Sequence, residues 1–190
     1  MHLADLYTGP GPLLLAALSE LPAHATGVGF DVSPGALKVA EKNARRHGLD
    51  SRASFVEQDL SIPQRIELPE SESDKDNGDR TPTFWDIVFA NPPYIRSADM
   101  PGLMPDVRNF EPRLALDGGP DGLEPYRDIA SAVRDGHLRT RWLFLEIGHD
   151  QASDITDIFD NPLMMDVVEV RKDLAGMDRC VVLKRNNKEK

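Results

Sequence analysis

Short apolar runs alternate with longer amphipathic stretches along most of this chain. HLADL at 2–6, TGVGFD at 26–31, ASFVEQDL at 53–60 and FWDIVFA at 84–90 each read as a strand. Between the first two, Pro12 to Leu21 reads as a helix with Pro12 in its first turn. SPGALKVAEKNARRHGL predicts a second helix, with Ser33 as its cap, Pro34 at the first position and Gly48 as its stop. Leu37, Val39 and Ala40 are expected along its apolar side. A Pro/Gly-rich loop runs from Asn91 to about Gly122, followed by a helix over roughly 123–138. RWLFLEIG then reads as a strand and 151–159 as a helix, and MMDVVEVRKD and DRCVVLKR close the chain as consecutive strands.

Strands separated by helices need crossover connections and build a parallel sheet, whereas two strands in a row imply an antiparallel hairpin. Ligands of such sheets gather at the carboxyl ends of the strands, near the point where the strand order reverses. Asp5 to Gly11, Asp31, Asp59, Asn91 to Tyr94 and Glu146 all fall at those ends. That coincidence predicts the site.

Charge and composition narrow the partners. The 190 residues are 40% hydrophobic and 28% charged, which suits one globular domain. The net charge of −10 disfavours broad contact with a phosphate backbone. Part of the excess sits in ELPESESDKDNGDR, whose six acidic and two basic residues sum to −4. With its surroundings, over about 67–83, it reads as a disordered surface insertion. No apolar run is long enough for a bilayer and no signal peptide is visible, so a reducing compartment, cytoplasmic or mitochondrial, is expected. Cys180 is the one cysteine and sits in an apolar strand, which reads as packing, and no metal-ligand spacing is present.

The candidate chemistry begins in DLYTGPG. Gly9 and Gly11 can let a backbone approach a ligand, and the helix at Pro12 can aim N–H groups at it, but an ordinary turn has equal standing. Asp31 lies 20 residues after Gly11, where a carboxylate can accept both ribose hydroxyls of an adenosine ligand, since Ser33 already fills the capping role. Asp59 can accept from an adenine amino group or be a surface turn residue. NPPY carries most. Asn91 and Pro92 both precede proline, which holds the strand exit extended and leaves it rich in carbonyl acceptors. The Asn91 side-chain oxygen and the Pro92 carbonyl can take both hydrogens of a planar NH2 group, and Tyr94 offers it an aromatic face. Amide nitrogen is a poor nucleophile, so orientation has to supply much of the catalysis.

FDVSPGALKVAEKNARRHGL, FVEQDL, FANPPYI, EPRLALDGGPDGLEPYRDI, LFLEIGHDQ and VRKDLAGMDRCVVL together resemble the release factor glutamine methyltransferases, the HemK/PrmC type of class I methyltransferase. The resemblance runs from Leu3 to Leu183 outside the acidic segment; NPPY is shared with adenine-modifying enzymes, while EPRLALDGGPDGL and KDLAGMDR are particular to the glutamine enzymes. It implies one α/β, Rossmann-like domain over 1–190: a mixed seven-strand sheet, helices on both faces and a C-terminal antiparallel hairpin. The implied cofactor is S-adenosyl-L-methionine and the implied partner a peptide chain release factor, methylated on the amide of its Gly-Gly-Gln glutamine. Gly9 and Gly11, with Asp5 and Thr8, would hold the cofactor's methionine part. Asp31 and Val32 would take its ribose, Asp59 and Leu60 its adenine, and Asn91 would border it. Asn91, Pro92 and Tyr94 would act on the substrate amide, with Pro93 and Glu111 lining that side. Metal has no part in it.

Two departures from the family pattern stand out. Tyr7 replaces a glycine and Pro10 a small hydroxyl residue in the loop. The family also carries a helical docking domain ahead of the first strand, where this chain begins, which leaves room for a partner subunit. Two other readings follow: an adenine-N6 methyltransferase acting on DNA or RNA, and a methyltransferase-like pseudoenzyme serving as a binding module.

Overall fold

The computed structural model describes residues 1–68, 83–159 and 165–186. Twelve principal elements appear in order: β1 (His2–Leu6), α1 (Pro12–Glu20), β2 (Thr26–Asp31), α2 (Pro34–Arg46), β3 (Ala53–Glu57), β4 (Trp85–Ala90), α3 (Pro105–Phe110), α4 (Glu124–Arg134), β5 (Thr140–Glu146), α5 (Ala152–Phe159), β6 (Met165–Lys172) and β7 (Asp178–Arg185). The acidic segment expected over 67–83 lies almost entirely outside the described residues, as does Met164.

The seven strands form one sheet in the order β3-β2-β1-β4-β5-β7-β6. β1 to β5 run parallel and β7 is antiparallel to both of its neighbours. The chain builds outward from β1 to β3, then returns to place β4 on the other side of β1. The strand order therefore reverses between β1 and β4, the kind of place where such sheets bind ligands.

Apolar residues on the two faces form two cores. Leu3 shares one with Leu14, Leu15 and Leu18 of α1 and Ala44 of α2. Ala4, Leu6, Val28 and Phe30 share the other with Tyr126, Ile129 and Val133 of α4 and Ile155 and Phe159 of α5. α1 has only nine residues and could not hold its shape alone. Burying each of its three leucines is worth roughly 1.5–3 kcal/mol, which fixes it on the sheet.

The structure corrects the pattern in places. On α2 the buried residues are Leu37, Ala40 and Ala44, a 3.6-residue rhythm, and Val39 points to solvent. α4 ends at Arg134 rather than near Leu138, because Gly136 turns the chain at φ 75. β3 ends at Glu57, so Gln58 to Leu60 belong to the turn beyond it. The expected loop after β4 contains α3 and two 3-10 turns, Met100–Gly102 and Arg113–Ala115. No residue of α3 is buried, so no apolar stripe announces it in the sequence. Ser33 caps α2 as expected, accepting from the Ala36 N–H at 3.3 Å, and the Phe144 ring packs against both Phe89 and Trp142 on the sheet. Cys180 is half-buried, and burial pushes its thiol up, away from nucleophilic use.

Candidate active site

The parallel register aligns the strand exits. Leu6 pairs with Phe30 and with Ala90, and Ala90 pairs with Leu145. The residues that follow on each strand, Tyr7, Asp31, Asn91 and Glu146, therefore leave the sheet side by side. Asp31 and Glu57 are paired on β2 and β3, which brings the Asp59 turn to the same edge.

The glycine turn is bonded largely to itself. Asp31 Oδ2 accepts the Gly9 N–H at 2.8 Å, and Asp31 Oδ1 accepts the Ser33 N–H at 2.8 Å. Thr8 N–H donates to Phe30 O at 3.0 Å and Gly11 N–H to Thr8 O at 2.9 Å. Asp5 is 1% exposed. Its Oδ2 accepts from Thr8 Oγ1 at 2.6 Å and from the Leu14 N–H at 3.3 Å. Its Oδ1 is buried with no hydrogen-bond partner among the described residues. Burial is the main reason that the Asp5 carboxyl is pushed up to about 7. The donors expected from the start of α1 are thus partly used: Pro12 has none, and Leu14 gives its own to Asp5.

Tyr7 adopts the glycine's conformation. Its φ of 58 is left-handed, which costs a side-chain-bearing residue about 1 kcal/mol or more. Its ring packs against the core on the α4 side, which offsets that cost. Burial raises its phenol, with the carboxylates of Asp128 and Asp59 acting in the same direction. Pro10 keeps its carbonyl in use, accepting from Asn43 Nδ2 at 3.0 Å.

These residues suit a small ligand with both charge and hydroxyl groups. An orphaned carboxylate oxygen lies under the turn. Gly9, at φ 54, has open space where a Cβ would stand. Asp31 stands at the rim with Val32 exposed beside it. Asp59 folds back on its own turn, its Oδ1 accepting from Ser61 N and Oγ at 3.0 and 2.7 Å. Leu60 packs against the α4-side core.

NPPY is built differently. Asn91 is exposed, and its side-chain amide has no hydrogen-bond partner among the described residues. Pro92 is buried beneath it. Gly118 passes so close that a Cβ there would lie 2.7 Å from the Pro93 carbonyl oxygen. Ile95 N–H donates to Leu116 O at 2.9 Å and Gly118 N–H to Ile95 O at 2.8 Å, tying the segment after NPPY to the DGG turn. Tyr94 is half-buried; burial raises its phenol, the Glu146 carboxylate adds to this, and the Arg179 guanidinium opposes it. Glu111 is exposed yet close enough to act on the same phenol. Burial also raises Glu146, against the pull of Arg179.

Three residues central to this half were not singled out from the sequence. Gln151 is 2% exposed and bridges three backbone groups. It donates to Tyr94 O and to Gly122 O, each at 3.1 Å, and accepts from Gly148 N at 2.9 Å. Tyr126 donates its hydroxyl to Glu146 O at 2.7 Å. Arg179 reaches Ile147 O at 3.1 Å and Asp173 at 3.2 Å. Gln151 and Arg179 lie inside the LFLEIGHDQ and KDLAGMDR blocks, and that placement was the one available signal.

Comparison with known proteins agrees with this geometry. Residues 1–91 match the family model described as a methyltransferase domain. The chain is 38% identical over 184 residues to a release factor glutamine methyltransferase of Rhodospirillum rubrum, covering 97% of this chain and 51% of that protein. It is 40% identical over 188 residues to the protein of the same name from Moorella thermoacetica, covering 96% and 58%. The chain thus spans about half the length of these curated relatives. Among solved structures, TrmN from Thermus thermophilus aligns over 98% of this chain and 44% of its own, with TM-score 0.59 and 17% identity. An RNA methyltransferase from Salinibacter ruber in complex with S-adenosyl-L-homocysteine aligns over 100% and 83%, with TM-score 0.52 and 16% identity. Those two likenesses establish the class I methyltransferase fold. Over the part of these relatives that it spans, the chain is similar to the release factor glutamine methyltransferases.

Proposed function

We propose that this chain methylates the side-chain amide nitrogen of a glutamine in a peptide chain release factor, the glutamine of its Gly-Gly-Gln motif. The observation that carries the reading is the line of strand exits, which sets an asparagine amide beside a glycine turn with a buried Asp5 oxygen, neither of them with a hydrogen-bond partner among the described residues. The cofactor is S-adenosyl-L-methionine, which supplies a methyl group on a positively charged sulfur when bound. Gly9 and Gly11 shape the turn for its methionine part, with Asp5 and Thr8 beneath, and Asp31 accepts from its ribose beside Val32. Asp59 and Leu60 border the adenine.

Asn91 Oδ1 and the Pro92 carbonyl accept both hydrogens of the substrate amide, fixing its plane and turning its nitrogen toward the cofactor half. Neither oxygen is a base, so the proton that leaves the amide passes to solvent, to which Asn91 is open. Tyr94 stacks on the amide, Pro93 holds the turn extended, and Glu111 faces the approaching polypeptide. Much of the rate comes from this orientation, since a delocalised amide lone pair reacts only when well placed.

The test is incubation with labelled S-adenosylmethionine, a release factor and an adenine-containing oligonucleotide, followed by peptide mapping. The expected product is one methyl on the Gly-Gly-Gln glutamine. Label on the oligonucleotide, or none on that glutamine, contradicts the reading.

A further inference from the structure

Between NPPY and α4 the chain makes a closed excursion whose two feet stand on the substrate side of the site. Ile95 N–H donates to Leu116 O and Ser97 N–H to Gly119 O, each at 2.9 Å, so the outgoing and returning segments are tied directly after Tyr94. Asp117 knots them together. Its Oδ1 accepts from Ser97 Oγ at 2.6 Å and from the Gly119 N–H at 3.1 Å. Its Oδ2 takes Nε and a terminal nitrogen of Arg113 at 3.1 and 2.9 Å. Met100 and Leu116 are buried, which adds apolar anchors to the knot.

What this pedestal holds up is apolar and bare. Met104 is 71% exposed, Phe110 83% and Leu114 65%, and α3, which lies among them, buries no residue. Single exposed apolar side chains are ordinary on a surface. Three of them on one short excursion beside a site, an aromatic and a methionine included, are the residue types that protein interfaces favour.

The excursion also carries a sign. Over 97–117, four acidic and two basic residues sum to −2. Arg113 is engaged by Asp117, and Arg108 donates to Pro101 O at 3.2 Å. Asp106, in the first turn of α3, and Glu111, at its C-cap, form no ion pair among the described residues. Such a face repels a phosphate backbone and a second copy of this chain, whose net charge is −10, and it draws a basic polypeptide.

Resting on the function proposed above, we infer that Met104, Phe110 and Leu114 form a docking surface for the release factor. A segment of that protein seats an apolar side chain on Phe110 and basic ones beside Asp106 and Glu111, while its glutamine lies at NPPY. The excursion supplies affinity for the protein substrate and leaves the orientation of the amide to Asn91.

The experiment compares wild type with Phe110→Ser, Met104→Ser and Asp106→Lys, and with Val39→Ser on the solvent side of α2 as control. In biolayer interferometry against a release factor, Phe110→Ser raises Kd on the order of 10- to 100-fold and Met104→Ser by less. Val39→Ser stays within about twofold. Asp106→Lys slows association on the order of tenfold at low salt, and the difference fades as salt is raised. In methyl transfer, Phe110→Ser raises KM for the release factor, while kcat and the KM for S-adenosylmethionine stay within about twofold. An unchanged Kd in Phe110→Ser, an equal loss in Val39→Ser, or no binding by wild type overturns the inference. Faster association of Asp106→Lys does so too, as does a wild-type dimer in sedimentation velocity that Phe110→Ser dissolves, which assigns the face to a second copy. If binding depends on Phe110 but the release factor stays unmethylated, the proposed function fails and the docking surface stands. If the glutamine is methylated and binding ignores Phe110, the function stands and the docking surface fails.

Discussion

The exits of β1 and β4 lie side by side, yet they are built on opposite plans. At β1, the glycine turn folds onto its own polar groups: both Asp31 oxygens take backbone N–H groups, and so does one oxygen of Asp5. At β4, prolines remove donors from the backbone and Asn91 keeps its amide unengaged among the described residues. The rigidity of that exit comes from behind, through Gln151 and the close approach of Gly118. A small cofactor can be held by a loop with a fixed shape of its own. A protein substrate has to bring its amide to groups that are open but already aimed.

The comparison breaks most sharply at Asn91. Asn91→Ala removes the proposed acceptor for the substrate amide, so methyl transfer should fall by about 10²-fold or more. Calorimetric titration should give an S-adenosylmethionine affinity within about twofold of wild type. An active Asn91→Ala variant would remove the substrate role from β4.

Gln151 tests whether that half is braced from behind. Gln151→Ala leaves the Tyr94 and Gly122 carbonyls and the Gly148 N–H without their partner, at a cost of roughly 2–5 kcal/mol. For a chain of this size, Tm should drop by on the order of 5–15 °C in a calorimetric scan. A loss below about 1 °C would mean that the bridge is dispensable.

The subtlest effect lies in the cofactor half. Burial holds the Asp5 carboxyl up at about 7, above its ordinary value of 3.8. Across that window the folded chain keeps a proton that the unfolded chain releases. The stability tied to Asp5 is therefore complete at acid pH and is lost as the pH rises through about 7. Asp5→Asn stays neutral throughout, so its Tm should gain on wild type between pH 5 and pH 8. Parallel curves over that range would show that Asp5 is not held protonated.

How much of this could be read along the chain follows from range. β1 to β5 and the closing hairpin are written in local apolar runs, and α2 in its cap, its proline and Gly48. NPPY was legible because proline restricts its neighbour whatever surrounds it. The residues that brace it were not, because Gln151 is 57 positions from Tyr94 and nothing local marks it as buried. α3 escaped for a related reason: with no buried face, it has no periodicity to read. Tyr7 read as a damaged glycine position, and its left-handed backbone with a ring packed on the core could be found only in three dimensions.

The division of labour across the sheet is the central claim, and a paired measurement on Asp31→Ala and Asn91→Ala tests it most directly. For each variant, S-adenosylmethionine affinity is taken by calorimetry and methyl transfer to a release factor is measured at saturating cofactor. Asp31→Ala should lose on the order of 10- to 100-fold in affinity, as expected for hydrogen bonds to a charged group, and regain much of its transfer at saturation. Asn91→Ala should bind normally and fail to transfer. If both variants lose the same quantity, affinity or transfer, the two halves do not divide the work and the account is wrong.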